Sequence, residues 1–430
     1  MSESLSRRTL LTAGGAAAAL MSLTGCGAVQ ALRPASGGAG TLVVHSQFNG
    51  AVAGADVFRA IVQQYRDTTG RSVATLSNGS DLPIVFETSV LAGKEADVAI
   101  INMVGKTLAW TDAEATIPVE GYLGQWGLDT RIEPGAVQEW TTPSGHLRAF
   151  PYTRTNWPVA FNTRLLEEAG LEIPLTSADL IDAADRLRSK DIGPVTIGGG
   201  DWSGQKLFIQ VIQSFLTADE AADVFASGRF SESEGAVAGI RHFAELRDAG
   251  VFVDSAQGFT SDSMLTQYNT GKAAIMSSMS SALAKVPADR AAETTIGGWP
   301  VPPGAISTRP TVIQSFNGMG VWISENGSRK LDLVEPFVQW LFSDEVVAQF
   351  ITQSGRDMNA VTDVTSDRFP LVAQAQALAA GDSVDPVILP DLLIPEAVFE
   401  PMTQATAQAF GPGTSPEQIV DVLEASYKNA

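Results

Sequence analysis

The chain has 430 residues, 44% of them hydrophobic, enough to bury a core in each of two or three domain-sized units. Its 28 Lys and Arg against 48 Asp and Glu give a formal net charge of −20. Such a field repels phosphate backbones and argues against a nucleic-acid partner, while it leaves a neutral ligand unsteered and mildly favours a cation. Cys26 is the only cysteine, so no disulfide can staple the fold.

The N-terminus carries an export pattern. Ser6-Arg7-Arg8 is a positive start, LLTAGGAAAALMSLTG is a small apolar run near the short limit for a span and broken by Gly14 and Gly15, and Leu23-Thr24-Gly25-Cys26 closes it. That tetrapeptide resembles the lipobox of bacterial lipoproteins, and Arg7-Arg8 before Thr9-Leu10-Leu11 resembles a twin-arginine signal with leucine where phenylalanine is frequent. The resemblance implies a signal peptide over 1–25, a diacylglycerol thioether on Cys26 and anchoring at the outer face of the cell membrane. Residues 27–40, small and glycine-rich, read with Cys26 as a tether that spans on the order of 20 Å as loose chain.

From Thr41 the pattern alternates strand and helix. TLVVHSQF is a strand ending in Gln47, Phe48 and Asn49, and Phe58, Ile61, Val62 and Tyr65 then recur at i, i+3, i+4, i+7 until Gly70 stops the helix. SVATLS is the next strand, NGSDLP places Pro83 at a helix start, and ADVAIIN at 96–102 is a buried strand. Ligands of parallel open sheets sit at the carboxyl ends of strands, which makes Asn49, Ser80, Asp81 and Asn102 candidates for contact; each is equally at home in a turn.

Residues 150–171, FPYTRTNWPVAFNTRLLEEAGL, read as a strand crossing between lobes and opening a helix, with Thr163 as its cap and Gly170 as its stop. Thr176 to Asp179 form a capping box, and PVTIGGGDWSGQ is a strand running into a glycine-rich loop with Asp201 and Trp202 at its tip. That loop lacks the lysine and hydroxyl ordering of a nucleotide P-loop. YNTGKAAIMSSMSS is a strand ending in a serine-rich loop with Ser278, Ser280 and Ser281, and IGGWPVPPG carries Trp299. QSFNGMGVWIS, with Asn317, precedes a helix over 334–341 and the run SDEVVAQFITQSGRDMNAV, which holds Gly355, Arg356 and Asn359; helices over 371–380 and 416–427 end the chain.

Taken in order, the 150–171 crossover, LAGKEADVAII, the TGKAAIM strand, IGGWPVPPG and the WLFSDE helix resemble extracellular solute-binding proteins, family 1, the sugar-type receptors of ATP-driven importers. The resemblance covers about 41–365. It implies an α/β, two-lobed periplasmic-binding-protein type II fold, each lobe a doubly wound sheet flanked by helices, with lobe 1 over 41–152 and 313–353 and lobe 2 over 153–312 and 357–430. It further implies a monomer that closes a hinge on its solute and delivers it to the transmembrane subunits of a permease, without cofactor, metal or catalysis.

Sugars show apolar C–H faces and a rim of hydroxyls, so their sites pair aromatic platforms with planar polar side chains. Of eight tryptophans, Trp110, Trp157, Trp202 and Trp299 fall at predicted strand ends or loops, Trp322 and Trp340 read as core, and Trp157 is the leading ligand candidate. The planar fork of Arg356 suits a hydroxyl pair, a carboxylate or a hinge contact. The serine and methionine loop near 280 argues against a large stacked oligosaccharide. A secreted carbohydrate-active enzyme is the rival class, yet Gly-x-Ser-x-Gly, His-Glu-x-x-His and P-loop patterns are all missing from the sequence. A third reading keeps the fold and takes a polyamine, an amino-acid derivative or an anion, with Asp81 and Asp201 able to hold an amine.

Overall fold

The computed structural model describes residues 40–48, 54–77 and 81–428; the signal, Cys26, Asn49 and Ser80 lie outside them. In chain order, strand β1 (Thr41–Ser46) leads to helix α1 (Ala55–Thr69), which buries Phe58, Ile61, Val62 and Tyr65 and ends where Gly70, at φ +68°, returns its N–H to Arg66 O. Next come β2 (Ser72–Leu76), α2 (Leu82–Leu91) with Pro83 in its first turn, and the buried β3 (Val98–Asn102). The central stretch is three short strands, β4 (Phe150–Pro151), β5 (Thr155–Trp157) and β6 (Val159–Asn162), then α3 (Thr163–Glu168).

The cap of α3 corrects the sequence expectation by one residue. Asn162 Oδ1 accepts from Leu165 N at 2.9 Å, while Thr163 is the first helical residue and donates its hydroxyl to Glu293 O. Asparagine wins because its side-chain oxygen reaches the third amide from an extended backbone.

Beyond it, α4 (Ser177–Arg188) starts on the reciprocal Thr176 and Asp179 box, and β7 (Gly193–Thr196) feeds α5 (Trp202–Gln213). Helix α5 is buried along its length from Ser203 to Gln213. Then follow α6 (Glu234–Asp248), α7 (Ser261–Asn269), β8 (Ala273–Ser277), α8 (Ser280–Leu283), β9 (Thr294–Gly297), β10 (Thr311–Ser315) and β11 (Met319–Ile323). The chain finishes with α9 (Leu331–Leu341), α10 (Asp344–Ser354), α11 (Pro370–Ala380), β12 (Asp385–Val387) and α12 (Pro416–Lys428).

Two compact units result: unit 1 takes the chain up to Arg154 with Phe316–Phe350 and Met358–Asp363, and unit 2 takes Thr155–Ser315, Ile351–Asp357 and Val364 onward. The sheet of unit 1 has the order β2-β1-β3-β11-β4, parallel across β2, β1 and β3 and antiparallel at β11. Unit 2 holds a four-stranded sheet, β7-β8-β6-β9, and a three-stranded one, β12-β10-β5. Residues 358–363 belong with unit 1 rather than with the second lobe. Backbone bonds draw them there: Asn359 N donates to Tyr152 O and Val361 N to Arg131 O, while Asn359 Nδ2 reaches both Thr153 O and Phe316 O.

Candidate functional site

In unit 1, strand ends gather several candidates. β3 pairs with β11 so that Asn102 faces Met319, which puts Gln47, Phe48, Asn102 and Asn317 at one end of the sheet. Most of these side chains hold the sheet end together. Gln47 Oε1 accepts from Asn102 N at 2.9 Å, and Asn317 Nδ2 donates to Met103 O at 3.0 Å. Phe48 is packed between Phe58 and Phe350, with ring centroids 5.1 and 5.2 Å away, so its faces meet protein. Asp81, just before α2, is exposed and makes no side-chain cap. Trp110, expected near a strand end, is buried against Phe86 and donates Nε1 to Glu87. An open cavity of about 250 Å³ lies between Arg131, Phe342, Asp344 and residues 360–362; it contains none of the candidates.

Unit 2 is different in kind. β7 and β8 are parallel, and β6 is antiparallel to both β8 and β9, with Val159 opposite Ser277 on one side and Gly297 on the other. This register brings the carboxyl ends of β7, β8 and β9 to the same sheet end as the start of β6. Trp157, Asp201, Trp202, Ser280 and Trp299 therefore share that end, though four of the five come from separate chain segments. The placement rests on hydrogen bonds as well as on strand order: Ser278 N donates to Pro158 O at 3.1 Å.

The two indoles of Trp157 and Trp202 meet edge to face, 5.5 Å between centroids and 89° between planes. Trp202 is 37% exposed, whereas Trp157 is 3% exposed and its Nε1 has no protein partner among the described residues. One ring is thus part exposed and the ring it meets carries a buried donor. Two hydroxyls that sequence reading missed, Thr196 at the end of β7 and Ser277 at the end of β8, are also buried without a partner among the described residues. Nothing in their local sequence distinguishes them from ordinary strand residues; only the register does. Ser280 is buried at the start of α8.

Trp299 sits instead in the hydrophobic core of unit 2, fully buried and stacked on Phe252 at 6.4 Å. Its backbone pairs with Thr311 in both directions, which turns the proline-rich segment inward. Arg356 is 9% exposed, and burial pushes its guanidinium down to about 10. Asp201 caps α5: its Oδ1 accepts from Ser203 N at 2.9 Å and Ser203 Oγ at 2.6 Å, and its Oδ2 accepts from Ser261 N at 2.7 Å. The glycines before it are there for close approach: a Cβ on Gly198 would stand 2.2 Å from Ser203 Oγ and 2.7 Å from Ser261 N. Among the described residues no group of three or more His, Cys, Asp or Glu could hold a metal ion, and no helix is long and apolar enough to cross a membrane.

Residues 54–348 match the family model of the bacterial extracellular solute-binding proteins, well over half of the chain. The chain belongs to that family. A crystal structure described as a probable secreted solute-binding lipoprotein from Streptomyces coelicolor is 50% identical, covers 91% of this solute-binding protein and 99% of its own chain, and superposes with a TM-score of 0.84. A maltose-bound protein of T. maritima shares the fold at 15% identity and a TM-score of 0.73, covering 90% of this chain and 99% of that one. A probable sugar-binding periplasmic protein of Rhizobium meliloti (strain 1021) is 28% identical over 34% of this chain and 37% of its own length. Little more than a third of that relative is therefore matched.

Proposed function

We propose that this solute-binding protein captures a small neutral carbohydrate at the Trp157 and Trp202 end of unit 2 and hands it, chemically unchanged, to the transmembrane subunits of an ATP-driven importer. The observation that carries this reading is the right-angled indole pair, one ring part exposed and the other with an N–H buried without a partner among the described residues. A pyranose needs an apolar wall for its C–H face and donors or acceptors at its rim, and Trp202 beside Trp157 with its Nε1 offers that combination. The kinship with proteins named for sugar binding supports the same class. A polyamine is the second solute; it would rest on Asp81, which is exposed, because both oxygens of Asp201 already accept hydrogen bonds.

The proposal includes the export route read from the N-terminus: signal removal before Cys26, lipid on its sulfur, and a monomeric receptor tethered outside the cell membrane. The lipobox-like residues support it, as does the description of the 50%-identical structure as a secreted lipoprotein.

A thermal-shift screen of the mature chain over neutral sugars, amines and oligopeptides, followed by chemical recovery of the stabilising compound, tests the solute class. A neutral sugar that raises the melting temperature and returns intact is the expected result. Stabilisation by spermidine alone, or recovery of a cleaved sugar, overturns it.

A further inference from the structure

The glycine-rich loop between β7 and α5 looks like a phosphate cradle, and its geometry explains why. Helix α5, of 12 residues, begins at this loop and α7, of 9, begins against it, and one first-turn amide of each, Ser203 N and Ser261 N, reaches the same carboxylate. Helix N-termini carry partial positive charge and unpaired donors, so such a point calls for an anion. Here the chain supplies its own. The Asp201 carboxylate takes the Ser203 amide and hydroxyl of α5 on one oxygen and the Ser261 amide of α7 on the other. The peptide around it is packed too closely for side chains: a Cβ on Gly198 would meet the Ser261 amide, and one on Gly204 would stand 2.6 Å from Gly199 Cα. Trp202, the next residue, is the exposed ring of the indole pair.

We infer that Asp201 is a positioning residue that locks the starts of α5 and α7 together and thereby fixes the orientation of the Trp202 ring, without itself touching the solute. This deepens the reading of Trp202 as the solute platform and rests on it. The carboxylate acts as an internal anion in a cradle that in other folds receives a phosphate. It follows that an external small carboxylate should be able to replace it.

The test begins without solute, so that it stands whatever the ligand is. Acrylamide quenching of Trp202 fluorescence, taken as the difference between each protein and the same protein carrying Trp202→Phe, is compared for the wild type, Asp201→Ala and Asp201→Asn. Asp201→Ala should expose the Trp202 ring to quencher and lower the melting temperature by about 2–4 °C. Asp201→Asn, which keeps the oxygen facing Ser203 and turns an N–H toward the Ser261 amide, should fall between. Excess sodium formate should restore both readings in Asp201→Ala toward wild type, and sodium chloride at equal ionic strength should not. Formate rescue is the signature that a generally loosened fold would not give. Wild-type quenching in both variants, or an Asp201→Ala defect that formate leaves untouched, overturns the assignment. A second arm adds spermidine: if it stabilises the wild type and that response is lost in Asp201→Asn, Asp201 is a solute contact and the positioning role is wrong. A failure of every sugar to bind would strike the solute reading alone and leave the quenching arm intact.

Discussion

In unit 1 the indoles of Trp110, Trp140, Trp322 and Trp340 donate their N–H groups to Glu87, Phe316 O, Ile101 O and Ile61 O, at 2.9, 3.1, 3.3 and 3.3 Å. In unit 2 the buried indoles of Trp157 and Trp299 have no acceptor among the described residues. A buried donor left unmade costs about 1–3 kcal/mol, so a fold keeps one only where something else answers it or where packing outweighs it. For Trp299, enclosed by the core of unit 2, packing is the available explanation. For Trp157, beside the part-exposed Trp202, a ligand atom is the answer that the proposed function supplies. The lesson is that tryptophan content says little about binding; the state of each N–H and the exposure of its neighbour say more.

That contrast can be broken at four points. The largest effect is expected from Trp322→Ala, which removes a fully buried ring packed against Trp110 and Trp140. It should destabilise unit 1 by about 3–5 kcal/mol in denaturant unfolding. A loss under 1 kcal/mol would mean that unit 1 does not depend on its indoles. Next is Trp202→Ala: solute affinity by calorimetry should fall on the order of 10-fold to 100-fold, as for a central aromatic anchor, with little change in unfolding because the ring is part exposed. Trp157→Phe keeps an aromatic ring but deletes the donor and some buried volume. It should weaken binding by about 3-fold to 10-fold, the worth of one net hydrogen bond, and should change the unliganded stability little, because the cavity left by the smaller ring offsets relief of the unmade donor.

The smallest effect is on pH. Burial holds the imidazole of His242 below its ordinary value, with Glu245 opposing weakly, and its Nε2 lies 2.9 Å from Ser177 Oγ. The unfolded chain therefore binds this proton more tightly than the folded one, so stability rises with pH between the lowered folded value and about 6.5. Acidification through that window should lower the melting temperature, and His242→Gln should flatten the slope there. An unchanged slope would remove His242 from the balance.

Much of the fold is legible in the residues themselves. Period and punctuation carry α1 from Phe58 to Gly70, the Thr176 and Asp179 box opens α4, and Pro83 starts α2, because these signals are local and chemical. The candidate site is legible only by strand end. Gln47, Asn102 and Asn317 are legible by position, yet the side chains of Gln47 and Asn317 bond neighbouring backbone, that of Asn102 included, which depends on which strands pair. Phe48 reads as a strand-end ligand candidate and packs between Phe58 and Phe350, the second of which is some three hundred residues away in sequence. Trp299 reads as an aromatic at a strand end or loop, and its pairing with Thr311 folds it inward. Asp201 followed by Ser203 is a recognisable cap, but Ser261 as its second partner is not. Thr196 and Ser277 carry no signal in sequence, since an unpaired hydroxyl is a property of surroundings.

The central claim is that the open face of Trp202 receives a neutral sugar. Calorimetric titration of the sugar selected by thermal shift into wild-type and Trp202→Ala protein tests it most directly. One-to-one binding by the wild type, weakened at least about tenfold by the substitution while unfolding stays unchanged, is the predicted result; equal affinity in the two proteins would contradict it.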